Sequence, residues 1–482
     1  MSIIPALIVV ASLVAAWPVY MIIKFFRQMW KFRKFTGPFP VPILGNVYDL
    51  EAMYFMKYLS KLRKKYGKFF RFIVFSKAYL VVCEPIAVRR ILTDAKTFIK
   101  GYDYTKHFSV VFGNGLVTSS GERHKHDRSI FGKYFIRSSI AKFMSVANKL
   151  AFEAIEEMLI VPNKKATVHN IEEFYALLAL RTFMSFSVGK NFSSEKELEK
   201  LYTTKVSESS WLLGRFISMG IPMWKWLPPV KEMCNVRDRF WADTKRIIID
   251  ERRRMYEKGE DGHLDDCLTA MFKENMDEQT MNDHMITLLS AGHDTTAYFG
   301  SYMTMLLAQH PDVQEKVRNE LKDVVGSRQE ITADDVTNMK YLTKVMQEVL
   351  RLYSIIPCVS RFCTEDLYIK EIDVTLPRGT ELLIPMFLIN RDPDLWKDPN
   401  EFNPDRFNDT DNFTSANSGY FPFGYGTRVC IGNTLAQYES AVFLCQLLRR
   451  FRLTEDNGFK PNIFSGISLT TSNGINVTLQ ET

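Results

Sequence analysis

The sequence predicts a mainly α-helical protein with a minor β region, preceded by one N-terminal transmembrane helix. Three observations support this fold class. Apolar residues recur at helical spacing along most of the chain, runs rich in Val, Ile and Phe are few and short, and residues 1–23 carry no charged side chain. With 46% hydrophobic and 24% charged residues, the composition is that of a globular protein and excludes collagen and intrinsic disorder.

Charge and cysteine content exclude further classes of protein. Sixty-two basic and 55 acidic residues give a net charge of +7, too small an excess over 482 residues for a nucleic-acid-binding protein, so we expect no nucleic-acid partner. The seven cysteines form no C-x-x-C pair, which excludes zinc ribbons and attached c-type haem. An odd, scattered set indicates reduced thiols in a compartment open to the cytosol.

The N-terminus is predicted to be a membrane anchor formed by residues 1–26. Residues 3–23 are almost wholly apolar, and at about 1.5 Å per residue they span the roughly 30 Å of a bilayer's hydrocarbon core. A cleaved signal peptide is the alternative, but the segment lacks a basic start and exceeds the usual apolar region. Basic residues follow from Lys24 to Lys34, which places the rest of a single-pass protein in the cytoplasm.

Residues 27–46 are predicted to be a basic and proline-rich linker, because three prolines between Gly37 and Asn46 oppose a helix. Residues 47–482 contain no repeat and no second linker, so they are predicted to form a single domain.

Local patterns predict the main elements of this domain. Phe69–Cys83, rich in Phe, Val and Ile, is predicted to be a β-hairpin. Helices are predicted at Ala141–Met158, Val230–Tyr256 and Tyr341–Tyr353, and short strands at Asp373–Leu376 and Glu381–Ile384. Met285–Gln309 has Asp294 as its only ionised residue. Its many Ser and Thr residues, and the cost of an Asp at mid-bilayer, favour a long helix through the core over a second membrane span.

The most specific motif surrounds Cys430. Two glycines, Gly426 and Gly432, bracket this cysteine in a predicted strand–turn–helix setting. A lone cysteine beside glycines is usually a small buried hydrophobe. A turn that must direct backbone N–H groups at a thiolate needs this spacing, however, and such a thiolate can bind haem iron axially.

The segment from Phe423 to Gly432 reads Phe-x-x-Gly-x-Arg-x-Cys-x-Gly and resembles the haem-binding signature of cytochromes P450. The resemblance implies the cytochrome P450 fold and a haem-binding catalytic domain. It implies that Cys430 is the axial ligand of the iron of haem b, that Phe423 packs against the ligand turn, and that Arg428 meets a haem propionate. Gly432 belongs to the same cofactor-binding turn.

Glu348 and Arg351 are three residues apart on a predicted apolar helix. An exposed pair at this spacing is common and stabilises a helix by only about 0.2–0.5 kcal/mol. On that helix an unpaired buried charge would cost several kcal/mol. The pair resembles the Glu-x-x-Arg of helix K in cytochromes P450. The resemblance implies a buried network of Glu348, Arg351 and Arg406 with a structural role.

Ala291–Thr296 lies in the middle of the long predicted helix. Taken alone it indicates a polar kink, because Thr hydroxyls bond to the carbonyl one turn back. The segment resembles the oxygen-binding sequence of cytochromes P450. By that resemblance Gly292 leaves room for dioxygen, while Asp294 and Thr295 are the catalytic residues that relay protons for cleavage of the O–O bond.

Further cofactor contacts are implied on two other segments. The family's Trp-x-x-x-Arg on helix C, whose side chains bond to a propionate, corresponds to His124 and Arg128. Histidine replaces the tryptophan and retains a ring N–H donor. Arg361 lies in the segment that resembles the loop after helix K, whose arginine meets the other propionate.

The resemblance implies a monooxygenase that inserts one oxygen atom of O2, its co-substrate, into a lipophilic substrate. The chain has Val429 where a dinucleotide fingerprint needs its third glycine, so NADPH is expected to act only indirectly, through a membrane-bound flavoprotein reductase. Cytochrome b5 is a second candidate partner. Two alternatives remain: an electron-independent haem-thiolate isomerase or dehydratase, and a non-catalytic membrane-held haem- or lipid-binding protein.

Substrate and location are predicted only by class. The mostly apolar pocket candidates, which do not separate sterol, fatty-acid and xenobiotic substrates, are Tyr104, Phe108, Val111, Phe112, Leu289, Ile356, Val359, Ile467 and Ser468. Phe216–Pro229 corresponds to the family's access loop and carries two tryptophans suited to a bilayer interface. Basic residues from Arg123 to Lys133 suit an acidic partner. The expected location is the endoplasmic reticulum membrane.

Overall fold

A computed structural model describes residues 4–47, 55–75, 77–158, 165–260, 265–408, 418–456 and 458–482. The helices of these residues are Ile4–Lys31 (α1), Phe55–Tyr66 (α2), Pro85–Thr93 (α3), Ser109–Phe112 (α4), Gly121–Gly132 (α5), Arg137–Met158 (α6), Ile171–Val188 (α7), Lys196–Ser218 (α8), Pro228–Thr244 (α9), Asp250–Glu257 (α10), Cys267–Lys273 (α11), Glu278–Gln309 (α12), Pro311–Val325 (α13), Ala333–Asn338 (α14), Lys340–Leu352 (α15), Met386–Ile389 (α16) and Asn433–Arg450 (α17).

Short helical turns of other types connect some of these helices. They are the π-helical turns Asp103–Phe108 and Lys245–Ile249 and the 3-10 turns Lys370–Ile372, Pro404–Asn408 and Gly426–Arg428. The strands are Phe69–Val74 (β1), Lys77–Val82 (β2), Phe98–Lys100 (β3), Lys165–Val168 (β4), Val359–Cys363 (β5), Leu367–Ile369 (β6), Val374–Leu376 (β7), Glu381–Ile384 (β8), Phe451–Glu455 (β9), Ile463–Ser465 (β10), Leu469–Thr471 (β11) and Val477–Glu481 (β12).

The β region is minor, as predicted. A five-stranded sheet has the order β1-β2-β8-β5-β3, a three-stranded sheet the order β4-β12-β9, and β6-β7 and β10-β11 are separate pairs. The predicted hairpin is confirmed: β1 and β2 pair antiparallel from Phe69 opposite Val82 to Val74 opposite Lys77. The strand predicted to begin at Asp373 begins one residue later, because Asp373 has a left-handed φ of 50°.

The mainly helical prediction is confirmed. The long apolar segment forms α12, which is buried along most of its length and packs against α7. Two glycines allow this close approach: a Cβ on Gly292 would lie 2.4 Å from the Phe183 ring, and one on Gly300 would lie 2.4 Å from the Tyr175 ring. The prediction of a long helix through the core is therefore confirmed. It occupies the centre of the larger apolar cluster.

The predicted linker lies on the first strand. Asn46 Oδ1 accepts a hydrogen bond from the Ile73 amide at 2.8 Å, and the Arg71 amide donates to Thr36 O at 2.8 Å. Within the linker, Phe32, the residue after the end of α1, is buried against Ile73. These contacts attach residues 32–46 to the five-stranded sheet.

In the part of the chain that the structure describes, no helix combines the length and the apolarity needed to cross a bilayer. The predicted anchor, residues 1–26, falls largely on residues 1–15 and Trp17, whose side chains lie outside the described residues.

Candidate active site

A cavity of about 410 Å³ lies between the middle of α12 and the turn that carries Cys430. Seven of the nine predicted site residues line it: Asp294, Thr295, Arg361, Phe423, Arg428, Cys430 and Gly432. His124 and Arg128 lie on α5 behind the cavity wall, one helical turn apart and hence on one face. Residues separated by more than 300 positions are thus brought to one site.

The Cys430 turn directs the thiol into the cavity. Cys430 N–H donates to Phe423 O at 2.9 Å, which closes the turn, and Gly426 adopts a left-handed φ of 71°. A Cβ on Gly426 would lie 2.5 Å from Leu92 O, so this position requires glycine. Residues 418–425 contain no strand, so the predicted strand–turn–helix setting is wrong in its first part; α17 follows the turn as predicted.

Two kinds of effect act in opposite directions on the pKa of the Cys430 thiol. Burial raises the pKa of Cys430 above its ordinary value, whereas a hydrogen bond from the Gly432 backbone N–H and the nearby charges of Arg128 and Lys100 act to lower it. A metal cation bound to the sulfur would offset the effect of burial and favour the thiolate, because an adjacent metal or positive charge stabilises a thiolate.

Five basic side chains gather beside this turn: Lys100, His124, Arg128, Arg361 and Arg428. None of the four Lys and Arg side chains forms a salt bridge within the described ranges. Arg428 Nη2 donates to Ser119 O at 2.9 Å, but its buried Nη1 has no hydrogen-bond partner there. Burial and the neighbouring arginines lower the pKa of Arg428 to about 10. The site therefore carries partly buried positive charge that no carboxylate of the described residues neutralises.

Lys100 at the end of β3 belongs to this cluster, and the sequence analysis missed it. Its Nζ lies 3.8 Å from the centroid of the Tyr104 ring, a cation–π contact. Burial, and then the charges of Arg361 and Arg428, hold its pKa well below the ordinary value. Nothing in the sequence around Lys100 marks it, because its basic neighbours come from distant elements.

The predicted network behind the cavity is confirmed. Arg351 Nε lies 2.7 Å from Glu348 Oε2, and Arg406 Nε lies 2.9 Å from Glu348 Oε1. Arg351 also donates to backbone carbonyls of the segment 390–401. Since Glu348 and Arg351 are fully buried, this network joins α15 to the segment that leads to the Cys430 turn.

The motif on α12 has its two polar side chains at the cavity wall. Thr295 Oγ1 donates to Ala291 O at 2.6 Å, one turn back. Asp294 is buried and faces α8, where Ser207 Oγ donates to its Oδ1 at 3.0 Å. Burial raises the pKa of Asp294, but contacts with His293, Ser210 and Ser207 outweigh it and bring the pKa below its ordinary value.

Comparison with known proteins decides the family. The family model described as Cytochrome P450 matches residues 36–478. The chain belongs to the cytochrome P450 family. Members are haem-thiolate monooxygenases, so this P450 is an oxidoreductase that uses haem b and O2 and receives electrons from a reductase.

Its relatives are similar over almost their whole length. Cytochrome P450 4d2 of Drosophila melanogaster is 25% identical over 476 residues, which cover 92% of this chain and 93% of the relative. Cytokinin hydroxylase of Arabidopsis thaliana is 27% identical, covering 92% and 91%. Cytochrome P450 2A5 of Mus musculus is 28% identical, covering 88% and 89%.

The residues present fit haem b. The Cys430 thiol lies beside a partly buried group of cations that forms no ion pair within the described residues, and Arg428 Nη1 is left without an acceptor there. Two propionate carboxylates would supply the missing negative charge, and ferric or ferrous iron would neutralise the thiolate. The thiol thus suits the iron of this cofactor, and the basic side chains suit its propionates.

Most predicted pocket residues line the P450 cavity: Tyr104, Phe108, Phe112, Ile356, Val359, Ile467 and Ser468. Val111 and Leu289 do not line it, because both are buried in the main apolar cluster. Gly292 also lines the wall, and a Cβ on it would meet the Phe183 ring. In the access-loop segment, Trp224 and Trp226 stack at 5.4 Å, and both are largely exposed.

Proposed function

We propose that this P450 oxygenates a lipophilic small molecule, such as a sterol, a fatty acid or a xenobiotic. The observation that carries the proposal is the Cys430 thiol facing a largely apolar cavity whose opposite wall holds Asp294 and Thr295. The charged Lys and Arg side chains in the cavity lining are Lys100, Arg361 and Arg428, all in the basic cluster beside the turn. Most of the remaining wall offers hydrophobic contact.

The roles of the site residues are part of this proposal. Cys430 would bind the iron of haem b, Phe423 and Gly432 would hold its turn, and the basic side chains His124, Arg128, Arg361 and Arg428, joined by Lys100, would bind the propionates. Bound haem b supplies the electron chemistry that activates dioxygen. The apolar side chains exclude water around the reacting C–H bond.

Asp294 and Thr295 hold and move protons at the distal wall. A carboxylate whose pKa is lowered is ionised at neutral pH and accepts a proton from the solvent side before handing it inward. The Thr295 hydroxyl is held at the wall by its bond to Ala291 O, within the cavity lining. Proton delivery is required only when O2 is activated, so this pair favours a monooxygenase over the isomerase alternative.

The protein is further proposed to be a single-pass protein of the endoplasmic reticulum membrane, with its globule in the cytoplasm. Residues 1–26 would be the anchor. The exposed Trp224 and Trp226 support a second contact with the bilayer, because tryptophan favours the membrane–water interface. Lipophilic substrate would then enter from the membrane.

The proposed electron donors are a membrane-bound, NADPH-dependent flavoprotein reductase and, as a second candidate, cytochrome b5. The basic side chains on and after α5 support docking of an acidic partner, and Lys125 is 72% exposed. Its ammonium group already pairs with Glu122 at 2.6 Å, so the partner would have to compete with that carboxylate.

A spectrum and a turnover assay test the proposal. The reduced, detergent-solubilised protein should give the long-wavelength carbon monoxide band of a thiolate-ligated haem, and Cys430→Ala should lose it. With reductase and NADPH, we expect oxygenated product from at least one of lauric acid, cholesterol and an alkoxycoumarin. Ligand binding without NADPH consumption would support the non-catalytic binder. Rearrangement or dehydration of a hydroperoxide without NADPH, with no oxygenated product from any panel compound, would support the isomerase or dehydratase.

A further inference from the structure

Asp294 is held by a hydroxyl group of another helix. Its Oδ1 lies 3.0 Å from Ser207 Oγ on α8 and 3.1 Å from His293 Nδ1 on its own helix. Its Oδ2 is buried and has no hydrogen-bond partner within the described ranges. One oxygen of the carboxylate, Oδ1, is therefore held by a hydroxyl group of α8 that can also give it a proton.

Ser207 joins this buried carboxylate to the outside of the molecule. Asp294 is 3% exposed and His293 1%, so neither side chain exchanges protons with bulk water directly. Ser207 is half-buried. Its single hydroxyl hydrogen has two acceptors in reach, Asp294 Oδ1 at 3.0 Å and Thr203 O at 3.1 Å, so the hydroxyl can rotate between them.

Tyr298 lies one turn beyond Asp294 on α12, next to Ser207 and Thr470. Burial raises the pKa of Tyr298 above its usual range, so the phenol stays protonated. A neutral phenol beside Ser207 adds no negative charge that would compete with Asp294 for the serine hydrogen.

We propose that Ser207 is a positioning residue that supplies Asp294 with protons from solvent. The Ser207 hydroxyl gives its hydrogen to Asp294 Oδ1 and takes a replacement proton from a hydronium ion of the solvent, which becomes water, so the serine is unchanged and the carboxylate becomes a carboxylic acid. The inference rests on the proposed function, because the proton is used in the reaction with O2.

A pair of nearly isosteric variants tests the hydroxyl. Ser207→Thr keeps it, and Ser207→Val replaces it by a methyl group, while both add the same branch at Cβ. Ser209→Val is the matched control, because Ser209 is a half-buried serine on the same helix. The assay is NADPH- and reductase-supported turnover of the panel compound that yields most product, with product and hydrogen peroxide measured per NADPH.

We expect Ser207→Val to lose about tenfold in product per NADPH, with a matching gain in peroxide, since general acid catalysis contributes about 10²- to 10⁴-fold and water replaces part of it. The solvent deuterium isotope effect on turnover should also rise in this variant. Ser207→Thr and Ser209→Val should behave as wild type. All variants should keep the carbon monoxide band and the substrate-induced spectral shift.

Equal coupling and equal isotope effects in the Val and Thr variants would overturn the inference. Where Ser207→Val does not bind haem, Ser207→Ala removes the hydroxyl without the added branch, and wild-type coupling in that variant would also overturn it. A wild-type protein that forms no product with reductase, NADPH and O2 would instead overturn the proposed function, so the two failures are distinguishable.

Discussion

Replacing Glu348 by Gln tests the buried ion network behind the cavity. Glu348 is fully buried, and its carboxylate accepts from Arg351 Nε at 2.7 Å, from Arg351 Nη2 at 2.8 Å and from Arg406 Nε at 2.9 Å. The Asn403 amide donates to the same group at 2.9 Å. A neutral amide offers one acceptor oxygen and no charge, so two guanidinium groups lose their buried anion.

The expected decrease in Tm follows from the burial of Glu348 and the length of the chain. Removing one partner of a buried ion pair costs about 3–5 kcal/mol. At about 2.1 cal/mol/K per residue, the 482 residues unfold with an entropy near 1.0 kcal/mol/K, so the expected decrease in Tm is about 3–5 °C.

Thermal unfolding of the haem-loaded protein, followed by circular dichroism, measures this change. Glu122→Gln is the matched control, because Glu122 also pairs with a basic residue three positions on, Lys125, but with 87% of its side chain exposed. We expect no measurable shift in the control, since exposed pairs contribute little. Equal shifts in the two variants would refute the assignment of a supporting role to the buried network.

Three further predictions concern the site itself. Thr295→Ala should keep the carbon monoxide band and ligand binding but divert NADPH to hydrogen peroxide by about tenfold, and unchanged coupling would remove threonine from the relay. Charge reversal of Lys125 and Lys133 to Glu should lower reductase-supported turnover severalfold and leave peroxide-supported turnover unchanged, whereas equal loss in both would exclude docking there. Burial and the nearby cations lower the pKa of His124 to about 3. As the pH falls below about 6.5, the unfolded state therefore binds a proton at this residue that the folded state does not bind. The haem-free protein should lose stability over this pH range. His124→Gln should reduce that loss, as measured by urea unfolding at two pH values, and an unchanged pH dependence would contradict a neutral buried imidazole.

Much of the fold could be predicted because its signals are local. The hairpin of β1 and β2, strand β8 and helix α15 lie within a few residues of their predicted bounds. Alternation and helical periodicity are properties of neighbouring residues, so they are visible in one sequence. The Cys430 turn was also predictable, because the glycine at 426 and the bond that closes the turn lie within eight residues.

The sequence by itself therefore determined the helical class, the ligand turn, the network of Glu348 and the polar pair on α12. Tertiary structure alone decided that Lys100 joins the basic cluster, that Gly292 makes room for Phe183, and that Ser207 holds Asp294. Gly292 and Phe183 lie 109 positions apart, and Ser207 and Asp294 lie 87 apart. Lys100 lies more than 250 positions from Arg361 and Arg428. Local preferences carry no information on which distant side chains meet, because that is set by how the helices and sheets pack around the cavity.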